Sequence, residues 1–292
     1  KDYIFLENNN VYFENSLSSK ISTEKFFNLK SSFFAKYYFT GYRQNDFRTE
    51  INLSKTINTE ANPIYLDFKT QFSYYKPDYF EQNYYSNHYM WENNFDNSER
   101  LDATLSINIP KYKLKASVNN NLINNYVYYG TISTPSQYDS NINITTLSIE
   151  KNLILNNFHI KNIIYWQKSS NQNIISLPEL AAYHSIFLEI DLKTKSYFYF
   201  GYEIRYSTSY KAKSFNPSTG HFYQEIIDAP TIGNYPYLNL FFNMKIKRNV
   251  LLSFKYEHLN YGMMDTQFPM QINHYPVYGS VFRFAVRWTF KN

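Results

Sequence analysis

The final stretch of the chain, Gly279 to Lys291 (G-S-V-F-R-F-A-V-R-W-T-F-K), keeps a strict period of two. Phe282, Phe284, Val286, Trp288 and Phe290 fall on one side of an extended chain. Arg283, Ala285, Arg287, Thr289 and Lys291 fall on the other, because successive side chains point to opposite faces of a strand. A helix would bring apolar residues together every three to four positions instead. A soluble strand would bury its apolar side against a core. Here the sequence stops two residues beyond Phe290, with nothing downstream to cover so large an apolar face. The expectation is a lipid-facing strand that closes a membrane β-barrel.

The same alternation runs back through the chain. Leu238, Leu240, Phe242, Met244 and Ile246 oppose Asn239, Asn243, Lys245 and Lys247, and Val250, Leu252, Phe254 and Tyr256 oppose Ser253, Lys255 and Glu257. Phe198, Phe200, Tyr202, Ile204 and Tyr206 oppose Tyr197, Tyr199, Glu203 and Arg205. Phe158, Ile160, Ile164 and Trp166 alternate with His159, Lys161 and Gln167; Tyr112, Leu114, Ala116 and Val118 alternate with Lys113, Lys115 and Ser117. Further upstream, Ile64 to Tyr74 and Phe47 to Leu53 behave likewise. From Tyr89 to Ile109 the odd register is unbroken, which predicts one long strand. Leu177 to Ala182, with Pro178 near its start, is the one helix-like piece.

Connection lengths alternate as well. Short ones fall at Pro110-Lys111, Asn152 to Ile154, Thr194-Lys195 and Arg248-Asn249; long ones at Asn124 to Ser140, Lys168 to His184, Thr208 to Tyr235 and Tyr261 to Tyr278. Outer-membrane barrels have short periplasmic turns and long extracellular loops in this order. The fold class expected is therefore all-β: a transmembrane antiparallel up-and-down β-barrel of about 14 strands (between about 12 and 18). Parity puts Ser19 to Lys25 and Thr56 to Pro63 in periplasmic turns and Tyr42 to Asp46 outside. Strand Val11 to Leu17 then needs a partner, either Tyr3 to Glu7 across an Asn8-Asn9-Asn10 turn or strands preceding this sequence.

Composition narrows the class further. The 292 residues are 20% aromatic with a mean hydropathy of -0.52. No run approaches the roughly 18 apolar residues of a spanning helix, a test that alternating barrel strands evade. Cysteine is absent, which suits an oxidising envelope compartment. The net charge is +5, with Lys and Arg scattered, so no nucleic-acid stripe exists. Residues 1–292 read as one outer-membrane barrel domain; Lys1-Asp2-Tyr3 opens without a leader, so either a signal peptide has been removed or an N-terminal segment of the full-length protein is missing.

Several segments carry a more specific likeness. L-P-E-L-A-A-Y-H-S-I-F-L-E (Leu177 to Glu189), F-N-P-S-T-G-H-F-Y-Q-E (Phe215 to Glu225) and I-G-N-Y-P-Y-L-N-L-F-F-N-M-K-I-K-R (Ile232 to Arg248) do so, with K-Y-E-H-L-N (Lys255 to Asn260) and the C-terminal words. H-Y-M-W-E-N-N-F (His88 to Phe95) fits the same pattern. The chain resembles the Bacteroidota-type putative porin family over most of Tyr84 to Asn292. That resemblance implies an outer-membrane barrel in a Gram-negative cell, no cofactor, and no catalytic residues to carry over.

Expected pore-lining residues are the charges opposite the apolar band: Arg283, Arg287, Lys255, Glu257, Lys245, Glu203, Arg205, Lys161 and Lys113. On the lipid side each Lys or Arg would cost about 2–4 kcal/mol at the midplane, which pins the register. Phe282, Phe284, Trp288, Phe290, Tyr256, Tyr206 and Trp166 are expected to face lipid and form aromatic girdles. His184, His221, His258 and His274, with Asp228 and Asp265, read as solvated residues in or near the loops, since no pair has metal-ligand or nucleophile–base spacing. The function expected is a non-enzymatic channel in the cell outer membrane for passive diffusion of small hydrophilic solutes or ions. The alternative is a closed barrel serving as a structural or accessory subunit of a larger outer-membrane assembly. Partners implied are outer-membrane lipid and lipopolysaccharide, further copies, or other envelope proteins.

Overall fold

The computed structural model describes residues 13–26, 29–57, 62–192, 195–225, 229–247, 249–263 and 270–290. Thirteen long strands form one antiparallel sheet in which each pairs with the next along the chain. They are β1 (Asn15–Phe26), β2 (Leu29–Thr40), β3 (Phe47–Ile57), β4 (Ile64–Tyr75), β5 (Ser98–Ile109), β6 (Leu114–Asn124) and β7 (Ile142–Leu155). The rest are β8 (Phe158–Ser169), β9 (Leu180–Asp191), β10 (Tyr197–Ser207), β11 (Tyr237–Ile246), β12 (Val250–Glu257) and β13 (Val281–Trp288). β1 to β10 run 11 to 14 residues, enough to cross a bilayer at a tilt, while β11 to β13 are shorter, at 10, 8 and 8.

All but one of the connections sort by length onto the two ends. The turn end holds residues 27–28, 58–63, 110–113, 156–157, 192–196 and 247–249; the loop end holds 41–46 and five longer segments, 76–97, 125–141, 170–179, 208–236 and 258–280. Hairpin turns need residues at positive φ. With only 7 Gly in the chain, Lys113, Asn156, Lys195 and Lys247 take that conformation at the turn end.

A sheet one layer thick has no interior, and the burial follows from that. Trp91, Tyr129, Ile174, Ala212 and Ile232, all in loop-end segments, are buried, together with Ile123 and Ile142 at the adjoining strand ends. On β13, by contrast, Phe282, Phe284 and Trp288 remain 62%, 55% and 60% exposed. Among the described residues no ladder joins β1 to β13, so the sheet is open. With thirteen antiparallel strands in sequence order, both edges run from the loop end to the turn end.

The described residues supply thirteen strands, where about 14 were expected over the whole chain; Asn8-Asn9-Asn10 and Tyr3 to Glu7 lie outside the described residues. Four expectations need correction. Ser19 to Lys25 is no turn but part of β1, its serines paired across to β2. Tyr89 to Ile109 is not one strand: Met90–Glu92 pairs with Asn83–Tyr85 in a loop hairpin, and β5 begins at Ser98. The backbone between them is committed to the loop, with Phe95 N–H on Gln82 Oε1 at 3.0 Å and Asp96 N–H on Gln137 Oε1 at 2.9 Å. Leu180–Ala182 begins β9 instead of a helix, and Gln167 N–H bonds Glu179 O at 2.9 Å; the α-helix among the described residues is Tyr79–Gln82. Finally, β7 runs through Asn152 to Ile154 and turns at Asn156, where φ is 55°.

Candidate functional site

Cross-strand pairing collects alternate residues of all thirteen strands onto one polar face. On β8 to β11, Lys161 stands opposite Ser185, Ser185 opposite Glu203, and Glu203 opposite Asn239. One step along, Phe241 stands opposite Lys255 and Lys255 opposite Arg283. Glu203, 8% exposed, is the hub of this wall. Its carboxylate accepts from Lys255 Nζ at 2.7 Å, Asn239 Nδ2 at 2.9 Å and the Tyr183 hydroxyl at 3.0 Å, with Arg205 at 3.5 Å. Glu257 takes Arg283 Nε at 2.7 Å and lies 3.5 Å from Lys255. A buried carboxylate needs several such donors.

Eight of the nine charges expected on this face are there. Arg283, Arg287, Lys255, Glu257, Lys245, Glu203, Arg205 and Lys161 all lie in the polar register, and Lys161 also reaches Glu150 at 3.7 Å. Lys113 does not belong with them. It ends the turn Pro110–Tyr112 at φ 47°, its N–H bonded to Pro110 O at 2.9 Å, and β6 begins one residue later. The alternation had carried it one turn too far.

Aromatic rings cluster on the polar wall around Gly201. Phe187, Tyr199 and Phe241 surround Gly201 beside a cavity of about 490 Å³. A Cβ at Gly201 would lie 2.2 Å from Ile186 O and 2.5 Å from Phe187 Cβ, so glycine is what lets Phe187 cross the strand.

The opposite face carries Phe282, Phe284, Trp288, Tyr256, Tyr206 and Trp166, as the alternation predicts. Phe290 lies beyond the end of β13, 78% exposed and stacked on Trp288 at 5.0 Å. From β10 to β13 this face is wholly apolar or aromatic. From β6 to β9 it is not: His184 Nδ1 meets Asn162 Oδ1 at 2.7 Å, and Asn120 Nδ2 bonds Asn143 Oδ1 at 2.8 Å and Thr145 Oγ1 at 3.0 Å.

Over the loop end the segments interlock. Asn216 Nδ2 donates to the Tyr89 hydroxyl at 2.7 Å and to Ser133 Oγ at 2.8 Å. His221 stacks on Tyr129 at 4.3 Å, and Gln224 N–H bonds Tyr129 O at 2.9 Å. Segment 208–236 thus holds both 76–97, six strand positions away, and 125–141. Burial pushes the Tyr129 phenol up to about 12 and the Lys213 ammonium down.

A family model described as "Putative porin" matches residues 3–292 of the chain. The chain belongs to the putative porin family. No curated protein matches it. Membership agrees with the putative porin resemblance read from the C-terminal words.

In this porin-family chain His184 and His258 depart from the solvated reading, while His221 and His274 are exposed as expected. His258 is fully buried: its Nε2 meets the Tyr235 hydroxyl at 2.7 Å, its Nδ1 the Tyr278 carbonyl at 2.8 Å, and its N–H bonds Asn239 Oδ1 at 2.9 Å. Asn239 therefore couples the Glu203 hub to the base of the loops. His184 lies in β9 on the apolar face, while His221 and His274 occur in loop hairpins. Asp228 and Asp265 lie outside the described residues. No group of three metal-ligating side chains occurs among the described residues. Asn239 and Tyr183 were missed as site residues, as were the pairs Arg48–Glu50 and Arg100–Asp102. The pairs had a signal: opposite charges two apart in sequence share a strand face.

Proposed function

We propose that this chain forms the wall of a porin-like channel in the outer membrane, through which small hydrophilic solutes or ions diffuse passively, with no catalytic role. The thirteen strands would be part of a closed barrel whose polar face lines the lumen, with the turn end periplasmic and the loop end outside. One observation carries this reading: a single sheet whose two faces differ in chemistry, with the aromatic face of β10 to β13 covered by no protein. Water would solvate Arg283, Arg287, Lys245 and their neighbours; hydrocarbon would solvate the aromatic rings. Folded protein reconstituted into planar bilayers should give discrete conductance steps. A silent bilayer, with folding verified by heat-dependent gel mobility, would sink the channel reading.

The subunit alternative draws on a separate observation. His184 and Asn162 lie mid-strand, flanked by Ile186 and Ala182 on one strand and Ile160 and Ile164 on the other. Polar groups at hydrocarbon depth are costly unless partnered, and between membrane segments they act as adhesive contacts. On this reading β6 to β9 pack against another protein, with a further copy as the simplest neighbour. The native protein should migrate as an oligomer in mild detergent and His184→Leu as a monomer. Monomeric native protein would remove this reading.

A further inference from the structure

The polar face is not electrostatically uniform. On β9 to β13 the cations are gathered around Glu203 and Glu257. At the loop end of β1 to β5 a larger cavity, about 730 Å³, has the opposite character. Six of its lining side chains are cationic and three acidic, an excess of three positive charges (6 − 3). Arg48 is taken by Glu50, and Arg100 by Asp102 just beyond the cavity. Lys20, Lys36, Arg43 and Lys76 form no ion pair among the described residues. Glu14 and Asp78 act on Arg43 only through space. Asp46 is 4% exposed and spends its Oδ1 on the Lys76 backbone N–H at 2.8 Å.

Aromatic rings, not carboxylates, hold the free cations in place. Lys36 Nζ sits 4.4 Å from the centre of the Tyr38 ring and the Arg43 guanidinium 5.9 Å from it; Lys76 Nζ lies 4.5 Å from the Tyr42 ring. A cation–π contact positions a charge without cancelling it, because the ring carries a quadrupole and no net charge. Lys36 also donates to the Tyr38 hydroxyl at 2.7 Å. That oxygen is the acceptor, so the phenol keeps its own hydrogen for a further partner. The arrangement is one of fixed donors and uncancelled positive charge around a water-accessible hollow, the requirement for gathering an oxyanion.

We propose that this hollow is an anion-binding subsite at the loop end of the channel. A small solute bearing a carboxylate or phosphate group binds there to Lys36, Arg43 and Lys76, with Tyr38 donating a hydrogen bond. The proposal rests on the channel reading above and gives it a substrate class. Lys20, on β1, adds charge from the sheet edge.

The test compares the native protein with Lys36→Gln/Arg43→Gln/Lys76→Gln in planar bilayers under a roughly tenfold KCl gradient. The reversal potential of the native protein should show preference for chloride over potassium. In the variant that preference should fall by about tenfold, the lower end of what charge focusing gives. Phosphate and acetate, added separately at millimolar levels, should each reduce native conductance and leave the variant unaffected; an effect of only one identifies the group recognised. Conductance without anion preference, or preference retained by the variant, overturns the subsite and leaves the channel standing. If folded protein does not conduct, isothermal titration of inorganic phosphate into detergent-solubilised protein decides: binding lost in the variant keeps the subsite, and no binding removes it. Should the triple variant misfold, Lys76→Gln alone, in a loop, replaces it.

Discussion

Phe284→Arg should destabilise the protein folded in lipid by about 2–4 kcal/mol, whereas Ala285→Arg, one residue on, should change it by less than about 1 kcal/mol. The contrast comes from the pleat. Phe284 pairs with Phe254, its ring 4.8 Å away, on the aromatic face; Ala285 pairs with Ser253 on the polar face. A guanidinium at position 284 would enter hydrocarbon near the middle of β13, while one at 285 would join Arg283 and Arg287 in water. Equilibrium unfolding from phosphatidylcholine vesicles, followed by tryptophan fluorescence, reads the difference directly. Equal effects of the two substitutions would mean that the faces are not lipid and lumen. The reverse order would mean that they had been assigned the wrong way round.

Gly201→Val should cost about 3 kcal/mol or prevent folding, at the upper end of what overpacking does. The new Cβ would sit 2.2 Å from Ile186 O and 2.7 Å from Phe187 Cα, and both obstacles are backbone. Relief would require β9 and β10 to separate. Gly220→Asn is the matching control: nothing lies within 4 Å of its Cβ position, and its φ of +72° is one that asparagine tolerates. The fraction of protein reaching the heat-modifiable folded form in vesicles is the measurement. Native yield from the valine variant would show that β9 and β10 are less closely paired than described.

What was legible in the amino-acid sequence was local and periodic. Val250 to Tyr256 and Phe282 to Trp288 reveal their faces within a few residues, and the short connection between β11 and β12 follows from the break in alternation. Those same periods placed eight of the nine wall charges. Periodicity fails where polar residues serve two purposes. Ser16, Ser18 and Ser22 of β1 look like turn formers, yet they share the polar register with Lys20. At Tyr89 to Ile109 parity survived a hairpin by coincidence, because Trp91 packs into the loop core with the register unchanged. The Glu203 hub, the Asn216 contacts and the packing of Lys76 on Tyr42 join residues distant along the chain, and no local pattern encodes such meetings. His258 was misread for the same reason, since Tyr235 and Tyr278, which surround it, are 23 and 20 residues away.

The common direction of β1 and β13 sets a rule for any closed form. Hydrogen bonds made straight between these two edges would create one parallel seam, with slanted bonds, in an otherwise antiparallel ladder. An all-antiparallel circle admits only an odd number of strands in the gap, whatever chain supplies them. Circumference can therefore grow from this sheet only through even totals, and the diameter grows with it in steps of two strands. The width of the water column along the polar wall is a discrete quantity, limited by strand parity before any side chain is considered.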